Sequence, residues 1–298
     1  MSTLAAAGTL LPNRMPVSHP YVLGDSESEL QRLMDQSRFI GDLTEQSLRQ
    51  AGIEWGMSVL DCGCGAGDVS FLVSRLVGPG GRVIGVDRSM TCVELARRRA
   101  SEAGLKNVTF EAAEVTNFAP SQPIDALVGR FILMYLSDPA AALRKLADCV
   151  RPGGLIVFQE VAMSLSHSEP VCHLITECRR WIHETFRRAG VDIDMGLKLF
   201  SIFKKAGLPS PEMILSSRVE GGPDSPVYRY LAHILNSLLP AMERYGVASA
   251  SEVAVESFAE RLREEVVAAG SILVTPCLVA AWTRIGNQRE SDERCESC

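Results

Sequence analysis

Val59-Leu60-Asp61-Cys62-Gly63-Cys64-Gly65-Ala66-Gly67-Asp68 is the stretch on which the fold of this chain turns. The run from Ser58 to Leu60 reads as a short buried strand that ends in a carboxylate, Asp61. Gly63, Gly65 and Gly67 follow at alternate positions, and Val69 to Leu76 continues with apolar residues at helical spacing. Strand, glycine turn and helix make a cradle for nucleotide-like ligands. Glycine lets the backbone approach the ligand, and the N–H groups of a helix start favour negative charge. Spacing then narrows the ligand. A dinucleotide fingerprint needs a further glycine three residues after the second one, and that position holds Asp68. A nicotinamide oxidoreductase is therefore disfavoured.

Working outward, Arg82-Val83-Ile84-Gly85-Val86-Asp87 reads as the second strand. Its terminal Asp87 lies twenty residues after Gly67, about where a doubly wound sheet places a carboxylate against ribose hydroxyls. From Gly56 to Phe158 strands and helices alternate, the pattern of a parallel sheet covered on both faces. A helix over Thr91–Glu102 ends at Gly104, and Val108–Ala112 is the third strand. Ile124–Arg130 is the fourth, Pro139–Val150 a helix, and Leu155–Glu160 the fifth strand after the turn at Pro152-Gly153-Gly154.

Composition bounds the reading. The chain has 298 residues, of which 46% are hydrophobic and 22% charged, as in ordinary globular proteins, with a net charge of −6. That balance argues against a nucleic-acid partner, and the basic cluster Arg97-Arg98-Arg99 reads as a solvated helix face. No apolar run reaches the length of a membrane span, and no basic start precedes the apolar stretch near the N-terminus, so neither a span nor a secretory leader is expected. Nine cysteines, several within apolar elements, fit reduced thiols and a cytoplasmic location better than a disulfide framework. Cys295 and Cys298 fall in a polar tail without a second ligand pair, and the histidines lack metal-ligand spacing, so no metal site is expected.

These motifs together resemble those of the class I S-adenosylmethionine-dependent methyltransferases. The loop has the form acid-x-G-x-G-x-G. Ala113-Glu114-Val115 after the third strand, the stretch Asp125 to Leu136 through the fourth, and Val150-Arg151-Pro152-Gly153-Gly154 match the later motifs in order. The resemblance implies an α/β fold: a seven-stranded Rossmann-like doubly wound sheet with the last strand antiparallel, plus N-terminal helices and helical cap insertions. It implies S-adenosylmethionine as cofactor, with Gly63, Cys64 and Gly65 against its methionine portion and Asp61 near the ammonium. Asp87 would take the ribose, Arg88, Glu114 and Val115 the adenine, and Gly129 and Arg130 would border the sulfonium. Tyr21 resembles an N-terminal tyrosine that closes on the cofactor in relatives.

The organisation expected is an N-terminal arm and helices over 1–55, the cofactor-binding core over 56–160, the rest of the sheet with a helical substrate cap over 161–286, and a disordered tail over 287–298. The arm holds two helical segments, one through Leu30 to Ile40 and one over Leu43–Gln50. Helices are expected over Val171–Ala189, Gly196–Ala206, Val227–Tyr245 and Glu252–Ala269. A sixth strand is expected over Pro211–Val219 and a last one over Ile272–Ile285.

Glu160, ending the fifth strand, is the first candidate base, and His233, flanked at helical spacing by Tyr230 and Asn236, the second. Tyr135, Trp181, Tyr228 and Trp282, with Phe200, are candidate walls for the acceptor. They favour a small aromatic or heterocyclic acceptor such as an indole, phenol or quinone. The leading expectation is therefore a small-molecule methyltransferase, with a homodimer possible. The alternative is a scaffold or regulatory protein that binds S-adenosylmethionine and methylates nothing.

Overall fold

The computed structural model describes residues 27–286, with side chains from Arg32 onward. Tyr21 and the tail with Cys295 and Cys298 lie outside the described residues. Strand β1 (Ser58–Cys62) is central and pairs in parallel with β2 (Arg82–Asp87) and β4 (Ile124–Arg130). The outer parallel pairings are β2 with β3 (Val108–Ala112) and β4 with β5 (Val150–Ala162). Strand β10 (Cys277–Arg284) inserts antiparallel between β5 and the edge strand β7 (Glu212–Ser216). The order is β3-β2-β1-β4-β5-β10-β7, a seven-stranded sheet.

Period-two alternation divides the core between the two faces. On one face Val59, Ala126, Val128, Leu155 and Val157 pack with α2 (Asp68–Val77) and α3 (Met90–Glu102). On the other, Leu60, Leu127, Ile156 and Phe158 pack with α4 (Pro139–Ala147), α5 (His173–Arg188) and α6 (Met195–Lys205). Strands buried on both faces must be apolar nearly throughout, and these are.

The structure departs from the sequence reading in several places, among them the helix expected over Glu252–Ala269, which breaks at Ala254 into two. The two N-terminal segments are one continuous helix, α1 (Glu27–Ala51), and Gly41 lies within it. Strand β5 runs on past Glu160 to Ala162, because β10 pairs with it along its length. The last strand is broken at Thr275-Pro276. Its first part, β9 (Ile272–Val274), joins β6 (His167–Glu169) and β8 (Val219–Gly221) in a separate three-stranded sheet. The arginine cluster is a solvated face at Arg97 and Arg98, which are exposed, but Arg99 is half-buried. Arg97 donates to the Phe110 carbonyl at 2.6 and 3.1 Å, and Arg99 donates to the Ala66 carbonyl at 2.6 Å and pairs with Asp68 at 2.7 Å. Arg99 thus pins the glycine loop from α3.

The added helices α7 (Val227–Arg244), α8 (Ala250–Val253) and α9 (Val255–Ala269) stand over the carboxyl ends of the strands with α1. Helix α7 is tied to α1 by His233 to Asp35 at 2.6 Å and by Phe39 stacked on Tyr230 at a centroid distance of 4.5 Å. Arg218, just before β8, donates to the Phe39 carbonyl and pairs with Asp42. These contacts fix the roof of the site.

Candidate active site

A cavity of about 770 Å³ opens where the carboxyl ends of β1, β2, β3 and β4 meet the roof. The loop after β1 supplies Gly63 to Ala66, the turn after β2 supplies Asp87 to Cys92, and Glu114 and Val115 follow β3. Arg130 to Leu136, apart from Leu133, come from the segment after β4, with α1, α5 and α7 opposite. A topological switch point between β1 and β4 is where an open sheet of this kind leaves a crevice for ligand.

Asp87 organises the near wall. One carboxylate oxygen accepts from Gly65 N at 2.9 Å and the other from Ser89 N at 2.8 Å. Each oxygen keeps a further lone-pair direction for a ligand hydroxyl. Gly65 sits at φ +52°, and a Cβ there would meet nothing nearer than Leu33 Cδ1 at 3.8 Å. The protein leaves that space open, so the loop backbone can lie against a ligand. At Gly63, by contrast, a Cβ would strike the Ile132 side chain at 2.8 Å, a packing demand. No side chain caps the start of α2, which leaves its N-terminal end for an anionic ligand group.

Asp61 is fully buried beneath this loop and is not on the cavity wall. It accepts from the Ser70 hydroxyl at 2.6 Å through one oxygen, while the other has no partner. Burial pushes its pKa up to about 7, with the Ser70 bond and the Arg130 charge opposing. Arg130, whose own pKa is lowered by burial, donates to Thr44 Oγ1 at 3.1 Å. Thr44 donates in turn to Gln159 at 2.8 Å, so a buried polar chain links α1 to the ends of β4 and β5. Phe131 follows at φ +55°, a conformation that costs a non-glycine residue of order 1–3 kcal/mol and concentrates at functional sites. Nothing in the sequence announced it.

Of the expected cofactor residues, Gly63, Cys64, Gly65, Asp87, Arg88, Glu114, Val115 and Arg130 line the one cavity. Gly129 does not: a Cβ there would sit 2.5 Å from the Phe158 ring, so its smallness admits that ring. Of the acceptor candidates only Tyr135 lines it. Trp181 is buried in the core on the other side of α5, Trp282 packs against the opposite sheet face, and Phe200 is exposed. The Tyr228 hydroxyl donates to the Gly222 carbonyl at 2.7 Å, away from the cavity.

The two candidate bases are also displaced. His233 is held by Asp35 on the roof and does not reach the cavity. Glu160 is wholly buried, and one of its oxygens accepts from Ile132 N at 2.9 Å and Leu133 N at 2.7 Å. It holds the segment after β4 from behind, because β5 extends beyond it and carries its side chain under that turn. Polar residues outside the sequence expectations also face the cavity, among them Arg179 and His183 on α5. Their signal was present: they lie four apart on an otherwise apolar helix face.

Residues 53–207, more than half of the chain, match the family profile described as a methyltransferase domain, and the chain belongs to that family, the class I S-adenosylmethionine-dependent methyltransferases. It is 37% identical over 105 residues to the aklanonic acid methyltransferase DauC of Streptomyces sp. strain C5, covering 35% of this chain and 47% of the relative. It is 32% identical over 111 residues to a ubiquinone biosynthesis O-methyltransferase of Albidiferax ferrireducens, covering 37% and 43%. The match thus spans less than half the length of either relative. Coclaurine N-methyltransferase, solved with N-methylheliamine and S-adenosylhomocysteine, superposes with a TM-score of 0.51 at 16% identity, covering 81% of this chain and 72% of that one. That likeness speaks to the fold.

The residues present suit the family's cofactor. An open glycine cradle, a carboxylate at the end of β2 and an uncapped helix start are what a ligand with hydroxyls and a carboxylate requires, whereas Asp61, buried behind the loop and off the cavity wall, is not placed to touch the ammonium directly. Gly65→Val should abolish binding of S-adenosylmethionine by filling that space, and should cost of order 1–3 kcal/mol of stability because a β-branched residue is strained at φ +52°. Calorimetry on the folded variant checks this, and normal affinity would remove the loop from the site.

Proposed function

We propose that this protein transfers a methyl group from S-adenosylmethionine to a small, largely apolar, aromatic or heterocyclic acceptor. The observation that carries the reading is one continuous cavity. One end is the glycine loop with Asp87, and the rest is walled by apolar side chains of α1, α5 and α7, among them Phe39, Ile182, Phe186, Leu231 and Ile234. Asp87 holds the ribose, Arg88, Glu114 and Val115 flank the base, and the loop backbone with the α2 start takes the amino-acid tail. The cofactor, when bound, supplies a methyl group on a positively charged sulfur.

The protein's part is positioning and exclusion of water. Phe131 and Tyr135 border the junction between the two ends of the cavity, and the segment that carries them is anchored from below by Glu160. The roof, tied together by His233–Asp35 and Phe39–Tyr230, keeps water from the acceptor. A flat acceptor suits these walls, and the name of the ubiquinone-biosynthesis relative agrees with it.

The test has two parts. Calorimetric titration should show binding of S-adenosylmethionine and none of NAD. A mass-spectrometric screen of small aromatic acceptors should then show a gain of one methyl. Binding without transfer to any acceptor would favour the scaffold reading, and absence of binding would sink both.

A further inference from the structure

The cavity face of α5 is Ile175, Cys178, Ile182 and Phe186, with Arg179 and His183 set among them one turn apart. A guanidinium half-buried among apolar side chains is costly unless an anion meets it. The Arg179 Nε donates to Ser166 Oγ at 3.0 Å, and among the described residues no carboxylate pairs with it. His183 has no hydrogen-bond partner among the described residues. Burial and the Arg179 charge hold its imidazole below the usual range, with Asp194 opposing, so it faces the cavity uncharged near neutral pH. On α5 the protein thus directs one cation and one neutral donor–acceptor group into the cavity, apart from Arg32, Arg88 and Arg130, which line it from other elements.

We propose that Arg179 and His183 select an acceptor that carries an acidic oxygen group, a carboxylate or an acidic phenol or enol, on an otherwise apolar frame. Arg179 pairs with the oxyanion, and His183 hydrogen-bonds to the same group or its neighbour. The pair discriminates by charge: an uncharged analogue of equal shape leaves Arg179 desolvated and unpaired, which costs affinity. This deepens the methyltransferase reading and rests on it for the word acceptor, though the charge selectivity of the cavity is independent of catalysis.

Two dyes of nearly equal shape test it on the full chain: 8-anilinonaphthalene-1-sulfonate, an anion, and N-phenyl-1-naphthylamine, its neutral counterpart. Fluorescence titrations run with S-adenosylhomocysteine added in excess, to fill the cofactor end. The wild type should bind the sulfonate more tightly, and raising the salt concentration should weaken the sulfonate alone. Arg179→Gln should weaken the sulfonate at least tenfold and change the neutral dye by less than twofold, while Arg179→Lys should keep most of the preference.

Equal loss of both dyes in the variants, or a wild type with no charge preference and no salt dependence, overturns the proposal. If the Gln variant does not fold, Arg179→Met takes its place beside the wild-type salt series, because Arg32, Arg88 and Arg130 line the same cavity and salt dependence alone does not single out Arg179. Failure of S-adenosylhomocysteine to bind in a calorimeter would instead remove the methyltransferase reading, leaving the dye comparison to be read without it.

Discussion

Asp87→Ala is expected to weaken S-adenosylmethionine binding by about 30- to 150-fold, roughly 2–3 kcal/mol, with a smaller loss for Asp87→Asn. Two effects act together. The carboxylate offers its remaining lone pairs to ribose hydroxyls in charge-assisted hydrogen bonds, and alanine removes them. It also anchors Gly65 N and Ser89 N, so its loss frees the loop and the turn that form the near wall of the cavity. Asparagine keeps one acceptor oxygen and loses the charge, hence its intermediate place. Calorimetric dissociation constants for the three proteins, beside their melting temperatures, check this. A wild-type constant in a folded alanine variant would take Asp87 out of the cofactor site.

That prediction was available from sequence, and the reason is physical. The glycine loop, the acid ending β2 and the alternating strands are local patterns, each written within a few residues. Features that depend on distant pairing were not available. Strands β6, β8 and β9 are three residues each, too short for a period to show, and they exist only because they meet one another. Helix α1 runs through Gly41 because its contacts with α2 and α7 outweigh the intrinsic cost of glycine, about 1 kcal/mol.

The acceptor candidates failed for a related reason. Trp181 is an aromatic residue on a segment expected to stand over the site, yet a large apolar ring seeks the core, and Trp181 is buried there. Helix phase was the better guide. The residues two before and two after it, Arg179 and His183, are the polar members of the cavity face. His233 shows the limit of the same argument, since its partly polar face was legible but its partner Asp35, from the far end of the chain, was not.

Glu160 is where composition misled most, and it carries the other large effect. Glu160→Ala should destabilise the protein by on the order of 3–5 kcal/mol, because Ile132 N and Leu133 N lose their acceptor in a buried turn and a void replaces the side chain. Glu160→Gln should cost far less, since an amide carbonyl accepts the same two bonds. The pH dependence separates this role from that of a surface-accessible base.

Burial pushes the Glu160 carboxyl up to about 8, against the backbone bonds that lower it, whereas in the unfolded chain it ionises near 4.3. Between those values the folded state holds the extra proton, so stability falls as pH rises. The contribution is whole below about 4 and gone above about 8, and Asp61, pushed up to about 7, adds a decline of the same sign. Glutamine resembles the protonated acid and does not titrate. The stability difference between Glu160→Gln and wild type should therefore move in the variant's favour from pH 5 to pH 8, by up to about 1.4 kcal/mol per pH unit. Urea unfolding at pH 5, 6, 7 and 8 measures it. Parallel profiles for the two proteins would mean that Glu160 is ionised in the folded state, and with that the anchoring role would have to be argued afresh as a buried carboxylate.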